Sequence, residues 1–218
     1  MLKDLCIIGA GDFGREVIAL VNRINNSSNS DRYNIIGFVD DNDKLQGQVV
    51  EGIPVIGTVD WLNNSNKEIN AVCSIGTGYI RKKIISKITN EKIIFPNLID
   101  PNVTFLDTSK LGMGNIICSN NVISINVNVG NHVIVNLSCT LGHDVVIGDY
   151  CTINPGSNIS GFVELKECVD IGTGTKIIQH ITVGENTIIG AGTVVIKDVE
   201  SDVTAVGSPA KVIKYHRK

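Results

Sequence analysis

Ile99 and every sixth residue after it, through Phe105, Leu111 and Ile117 to Val195, is large and apolar: seventeen consecutive positions on a period of six. In a chain that is 43% hydrophobic, chance yields such a run roughly once in a million for a given phase. The residue four places later is usually small or β-branched, as at Val127, Val133, Cys139, Val145, Cys151, Ser157, Val163, Val169, Thr175, Thr187 and Thr193. Two inward residues per six, with glycine or asparagine at a corner, describe a hexapeptide repeat. Three hexads close a triangular coil, and coils stack at strand spacing, about 4.8 Å. Residues 99–200 then make between five and six coils. A β-sandwich needs only simple alternation and does not explain a six-residue phase held over this length.

Before Pro96 the period is different. "DLCIIG" suits a buried strand, and "GAGDFGREVIALVNRI" places Val17, Ile18, Leu20, Val21 and Ile24 at helical spacing. "NNSSNSDRYN" is a polar loop, "IIGFVDD" a second strand, "VVEGIPVIG" a small hairpin and "VDWLNN" a helical turn. "INAVCSIG", "YIRKKIISKI" and "KIIFPNLI" read as strand, helix and strand. Alternation of strands and helices predicts a parallel sheet covered by helices. The expected architecture is an α/β Rossmann-like domain over residues 1–96, then a parallel β-helix with a C-terminal tail over 97–218.

The charge balance is 19 basic against 22 acidic residues, and the "KYHRK" tail is the one basic run. That gives no support for nucleic-acid binding. No apolar run approaches the roughly 18 residues a membrane helix needs. The start "MLKDLCIIGAG" leads from a short strand into glycines and does not read as a signal peptide. None of the six cysteines falls in a CxxC pattern, so neither a zinc site nor a secreted disulfide framework is indicated. They read as reduced, buried small apolar residues of a cytoplasmic protein.

"GAGDFG", with Gly9, Gly11 and Gly14 around Asp12 and Phe13, follows a strand and opens a helix. Such a turn brings backbone and a helix N-terminus close to phosphate. Asp40 and Asp41 end the next strand, placed like ribose-binding acids although further on than the usual 20 or so residues. "SIGTG" supplies a second glycine turn at Gly76, Thr77 and Gly78. A dehydrogenase is the obvious rival, but no second catalytic domain follows. Arg81 and Lys82 read equally well as solvated helix charges.

Three blocks together, "IIGAGDFGREV", "LGHDVVIGDYCTINPG" and "IGAGTVVIKDVESDVTAVGSPAKVIK", resemble the hexapeptide sugar acyltransferases, the family that includes the bacillosamine-pathway N-acetyltransferase and the sialic acid O-acetyltransferases. The resemblance implies a left-handed coil, an exception to the usual crossover hand. It also implies acetyl-CoA as co-substrate, a homotrimer with the coenzyme between subunits, and a nucleotide-linked amino sugar bound by the front half. The favoured acceptor is a 4-amino-4,6-dideoxyhexose.

In hexad phase His143 falls two places after inward Leu141, at an outward corner. Acyl transfer to an amine needs a base, and imidazole suits that task near neutral pH. Asp144 follows immediately and can hold the second ring nitrogen. One coil on, Gly161 should lie roughly 5 Å away, with a backbone N–H able to donate to a developing oxyanion. In the family, this histidine and a neighbouring acid form the catalytic pair. A second family histidine near the acetyl group corresponds here to Thr152, whose hydroxyl can still donate. At the far end Gly190, Ala191 and Gly192 offer a smooth face for a pantetheine arm, Lys197 and Lys211 point charges for phosphates, and Pro209 and Ala210 packing near adenine.

Three alternatives remain open on sequence. One is an O-acetyltransferase acting on a sugar or sialic acid hydroxyl. Another is a non-catalytic β-helix serving oligomerisation. The last is a zinc hydrase, which needs three converging histidines; His132, His143 and His180 lack that spacing within one chain, although a trimer interface could bring them together, and the favoured reading has no metal.

Overall fold

The computed structural model describes residues 2–27, 32–106 and 109–216. Part of the polar loop after Asn25 and the end of the basic tail lie outside these residues. The front half is a six-stranded sheet. In chain order it contains β1 (Lys3–Ile8), α1 (Asp12–Asn25), β2 (Tyr33–Val39), β3 (Val49–Val50), β4 (Ile53–Gly57), α2 (Asp60–Asn63), β5 (Ile69–Cys73), α3 (Gly78–Ile85) and β6 (Ile93–Ile94). The sheet order is β3-β4-β2-β1-β5-β6, parallel except for the β3–β4 hairpin. That hairpin turns through Glu51 and Gly52, both at positive φ (48° and 79°), as a two-residue primed turn requires. Buried strands and helices here follow from the continuous apolar runs of β1 and β5 and the single apolar stripe of α1, which buries Val17, Leu20, Val21 and Ile24.

The second half is a left-handed parallel β-helix of two-residue strands joined by sharp corners. Its first face stacks Leu98–Ile99, Ile116–Ile117, Ile134–Val135, Thr152–Ile153, Asp170–Ile171 and Ile188–Ile189, then Val203–Val206 and antiparallel Lys211–Tyr215. The second face runs from Thr104–Phe105 to Val194–Val195, and the third from Lys110–Leu111 to Thr182–Val183. Partners are 18 residues apart up to Val195, as in Thr140↔Asn158 and Val146↔Glu164, and 16 apart in the last coil, as in Ile188↔Thr204 and Val183↔Val199. From Ile117 to Val195 every sixth-place residue is buried. Ile99 and Leu111 are only half-buried and Phe105 is 37% exposed, because the first coil has a neighbour on one side only.

From Gly114 to Gly192 each corner turns through one residue in left-handed conformation. Besides Gly114, Gly156, Gly174 and Gly192, these include Asn120, Asn126, His132, Ser138, Asp144, Tyr150, Phe162, Cys168 and His180. Left-handed backbone disfavours bulky side chains, but the ladder pins every corner, for example by Asp144 N–H to Ile125 O at 3.0 Å and Phe162 N–H to His143 O at 3.0 Å. All six cysteines are free and buried.

The two halves share one core. Leu98, Ile116 and Ile134, which point out of the first face, pack with Leu5, Ile7, Val17 and Leu20. Two polar bolts flank this contact. Arg23 Nε meets Asp100 at 2.6 Å, and the Asp100 side chain is nearly fully buried. Burial raises the Asp100 carboxyl, but the Arg23 hydrogen bond, the Asn102 N–H and the Arg23 charge together leave it below its ordinary value. The second bolt is Arg81, which corrects the expectation of a solvated helix charge. It is 1% exposed and donates to the carbonyls of Ile75, Gly76, His132, Tyr150 and Cys151 and to the Thr152 hydroxyl. Lys82 pairs with Glu167 at 2.6 Å across the same junction.

Candidate active site

The second corner, between the second and third faces, carries the His-Asp pair. The N-terminal sheet covers the first face and touches the other two corners, through Cys118 and Leu137 on one side and Tyr150 and Cys168 on the other. The second corner is left open. His143 Nδ1 lies 2.9 Å from Asp144 Oδ2, and the His143 side chain is 53% exposed. A β-carbon added to Gly161 would fall 2.6 Å from both Cε1 and Nε2 of His143. The ring therefore lies directly on Gly161, and any β-carbon there would displace it. Among the described residues no acceptor takes the Gly161 N–H. The left-handed column continues upward: Phe162 meets His143 edge-on, ring centroids 5.1 Å apart, and stacks on His180 at 4.8 Å.

Thr152 is not part of this cluster. It starts a first-face strand, is 3% exposed, and its hydroxyl donates to Gly76 O at 2.5 Å while accepting from Arg81. A hydroxyl so committed does not serve a thioester, and the expectation fails because this position faces the N-terminal sheet rather than the open corner.

The glycine turns separate into two kinds. Gly9 has φ 101°, and a β-carbon on Gly14 would fall 2.4 Å from Gly9 O; both glycines are demanded by the protein's own packing. Gly78 likewise belongs to packing, since its β-carbon would lie 2.2 Å from Tyr150 O, which corrects its expected ligand role. Gly11 and Gly76 instead face open space, with nothing within 4 Å, and Thr77 beside them is exposed. Asp12 is exposed next to Gly11, whereas Phe13 packs on the N-terminal core. Asp40 takes the Ala10 N–H on one oxygen and the Asn42 N–H on the other, both at 2.9 Å. It braces the turn and keeps further lone pairs for a ligand. Asp41 is different: Val59 N–H at 3.0 Å and Lys87 Nζ at 2.8 Å occupy its two oxygens. The Lys87 and Val59 hydrogen bonds hold its carboxyl below the ordinary range, so Asp41 staples β2 to α2 and α3 rather than meeting a ribose.

At the far end Lys197, Pro209, Ala210 and Lys211 line one cavity of about 480 Å³, together with Ile196, Val199 and Val212. Asp198 and Glu200 also border it, but they receive Thr182 N–H and Tyr215 OH. Among the described residues neither lysine ammonium has a carboxylate partner. The cavity thus suits a ligand that carries phosphate and an apolar ring or arm. Gly190, Ala191 and Gly192 do not line it; they turn the first corner, and Gly190 is packed against Val206. Lys197 occupies the same corner column as His143, three coils on, so about 14 Å separates cavity and imidazole.

Sequence reasoning missed Ser74 and the Asn126–Asp144 contact, and it left the place of Arg81 open. Ser74 Oγ donates to Gly9 O at 2.8 Å and so sets the first glycine turn. Its position beside the turn follows only from the β1–β5 register. Among the described residues no group of three or more His, Cys, Asp or Glu could hold a metal ion. No helix there is long and apolar enough to cross a membrane.

Residues 4–88 match the model of the PglD N-terminal domain family. The chain is 33% identical over 162 residues, 74% of its length and 72% of the other's, to GDP-perosamine N-acetyltransferase of Escherichia coli O157:H7. Among solved structures it is similar to PerB from Caulobacter crescentus in complex with CoA and GDP-perosamine, with TM-score 0.86, 26% identity, and 98% of this chain and 99% of that one covered. It is also similar to the acetyltransferase domain of PglB from Neisseria gonorrhoeae FA1090 in complex with acetyl coenzyme A, with TM-score 0.84, 30% identity, and 98% and 100% covered.

Proposed function

This chain belongs to the hexapeptide-repeat sugar N-acetyltransferases, and on that premise we propose that His143 is the general base that lets acetyl-CoA acetylate a nucleotide-linked 4-amino-4,6-dideoxyhexose. The observation that carries the reading is the ring of His143 seated on Gly161, held by Asp144 and open to solvent.

Asp144 accepts from Nδ1–H, which leaves the Nε2 lone pair outward. The sugar amine attacks the thioester carbonyl directly, and Nε2 takes the proton the amine loses. The Gly161 N–H donates to the oxygen as it gains negative charge, which stabilises the tetrahedral state where it matters most. Collapse expels the coenzyme thiolate, and the imidazolium returns the proton to it. No acyl-enzyme is invoked: Cys139 and Cys151 face the closed interior, where burial pushes the Cys151 thiol up to about 12. Lys197 and Lys211 meet the coenzyme phosphates, and the arm descends the second corner past His180 and Phe162.

Gly11, Gly76, Thr77 and Asp40 hold the nucleotide-sugar. These residues adjoin the first face, whereas His143 sits on the opposite corner. The acceptor therefore meets the imidazole of another copy, in a cytoplasmic homotrimer. A thiol-release assay with acetyl-CoA against a panel of nucleotide-linked amino sugars tests the proposal. We expect release only with a 4-amino acceptor, and a loss of about 10²–10⁴ in kcat for His143→Ala. Undiminished release by His143→Ala discards the base assignment.

A further inference from the structure

We propose that Asn126 is a positioning residue for His143, acting through Asp144; the inference rests on His143 being the base. Aspartate is a short support for an imidazole, and a half-exposed carboxylate held at one oxygen can still rotate. Here both oxygens are engaged. Oδ2 meets His143 Nδ1 at 2.9 Å, and Oδ1 accepts from Asn126 Nδ2 at 3.2 Å. Two donors at two points fix the carboxylate plane, and with it the ring's Nδ1.

The backbone explains why the two side chains meet. Asn126 and Asp144 occupy the same corner position one coil apart, both left-handed at φ 57° and 59°. Asp144 N–H bonds Ile125 O at 3.0 Å, so the rungs are locked in register and the side chains leave in parallel. Asparagine suits this position twice over. It tolerates left-handed backbone, and its amide donates without adding charge beside Asp144. Phe162 closes the opposite side of the ring.

Asn-Asp rungs occur elsewhere in the coil. Asn131 Nδ2 lies 3.2 Å from Asp149, and Asn186 Nδ2 lies 3.0 Å from Asp202 Oδ1. Those pairs staple corners and touch no histidine ring nitrogen. The distinguishing consequence at Asn126 is kinetic rather than structural.

The test measures kcat, both KM values and Tm for Asn126→Gly and Asn126→Asp, with Asn131→Ala and His143→Ala assayed alongside. Glycine keeps the left-handed backbone and deletes the amide; aspartate keeps the size, cannot donate when ionised and sets a like charge against Asp144, so its loss should be no smaller. Both variants should lose about tenfold in kcat through misplacement of the base, with KM within about twofold and Tm close to wild type. Asn131→Ala, which breaks a rung on another corner, should keep kcat. Wild-type kcat in both Asn126 variants, a loss carried by KM, or a loss that tracks Tm overturns the inference. An inactive His143→Ala beside a fully active Asn126→Gly removes this inference alone; an active His143→Ala removes the base assignment beneath it.

Discussion

His143 and His132 show how far one residue type diverges with its corner. His143 rests on Gly161 in the open, whereas His132 is 4% exposed, stacked on Tyr150 at 5.4 Å and edge-on to Phe95 at 4.9 Å. Among the described residues its Nδ1 has no hydrogen-bond partner. Burial and then the Arg81 charge push its pKa down to about 4, against a smaller opposing pull from Asp149. The folded value lies below the unfolded one, so the unfolded chain binds the proton first. The stability His132 contributes is complete above about pH 6.5 and drains away as pH falls toward 4. Unfolding free energy should drop by on the order of 1–2 kcal/mol between pH 7 and pH 5 from this residue. His132→Phe should flatten that slope, since the left-handed position accepts phenylalanine at Phe162. Denaturant midpoints at the two pH values check it; equal slopes in both proteins contradict it. At this scale His143, Asp144 and Gly161 were legible because hexad phase alone puts them at one corner. Thr152 was not, because a hexad does not say which face another element covers.

Among the elements, the coils follow from sequence and the docking does not. Each inward residue meets its own kind one coil away, so a periodic sequence specifies its own stack, and only the end coil departs from it. The glycine turns show the limit. GAGDFG announces a turn, but only packing separates Gly14, which touches Gly9 O, from Gly11, which touches nothing. Arg81 reads on the helix as one more charge beside Lys82 and Lys83. Its role appears when α3 lands on the third corner and five carbonyls and a hydroxyl converge on one guanidinium. A planar fork of five donors fits that cage and an ammonium does not. Arg81→Lys should therefore cost about 3 kcal/mol, as buried carbonyls lose their donors. Urea unfolding followed by Trp61 fluorescence measures it. A change under about 0.5 kcal/mol, the range of ordinary surface substitutions, contradicts the assignment.

For the whole molecule, the prism keeps its two candidate sites apart. Gly11, Gly76 and Asp40 adjoin the covered first face, while the His143 column and the cavity at Lys197 and Lys211 share the open second corner. On the proposed function the two sites belong to neighbouring copies, and Ile125, Phe162 and Ile196 are among the exposed residues of the open corner that such a copy would meet. The sequence showed two halves of different period; it could not show that their candidate sites face opposite ways, because that depends on which face the front half covers. Subunit mixing tests this most directly. His143→Ala lacks the base, and Gly11→Leu puts a side chain into the space above the turn, where an added β-carbon meets nothing within 4 Å. Each should be inactive alone. Refolded together at equal ratio as random trimers, they should recover about one quarter of wild-type activity, the fraction of sites that draw an intact turn and an intact imidazole from neighbouring chains. A mixture as inactive as its parents would mean that turn and imidazole act within one chain, and would contradict the account.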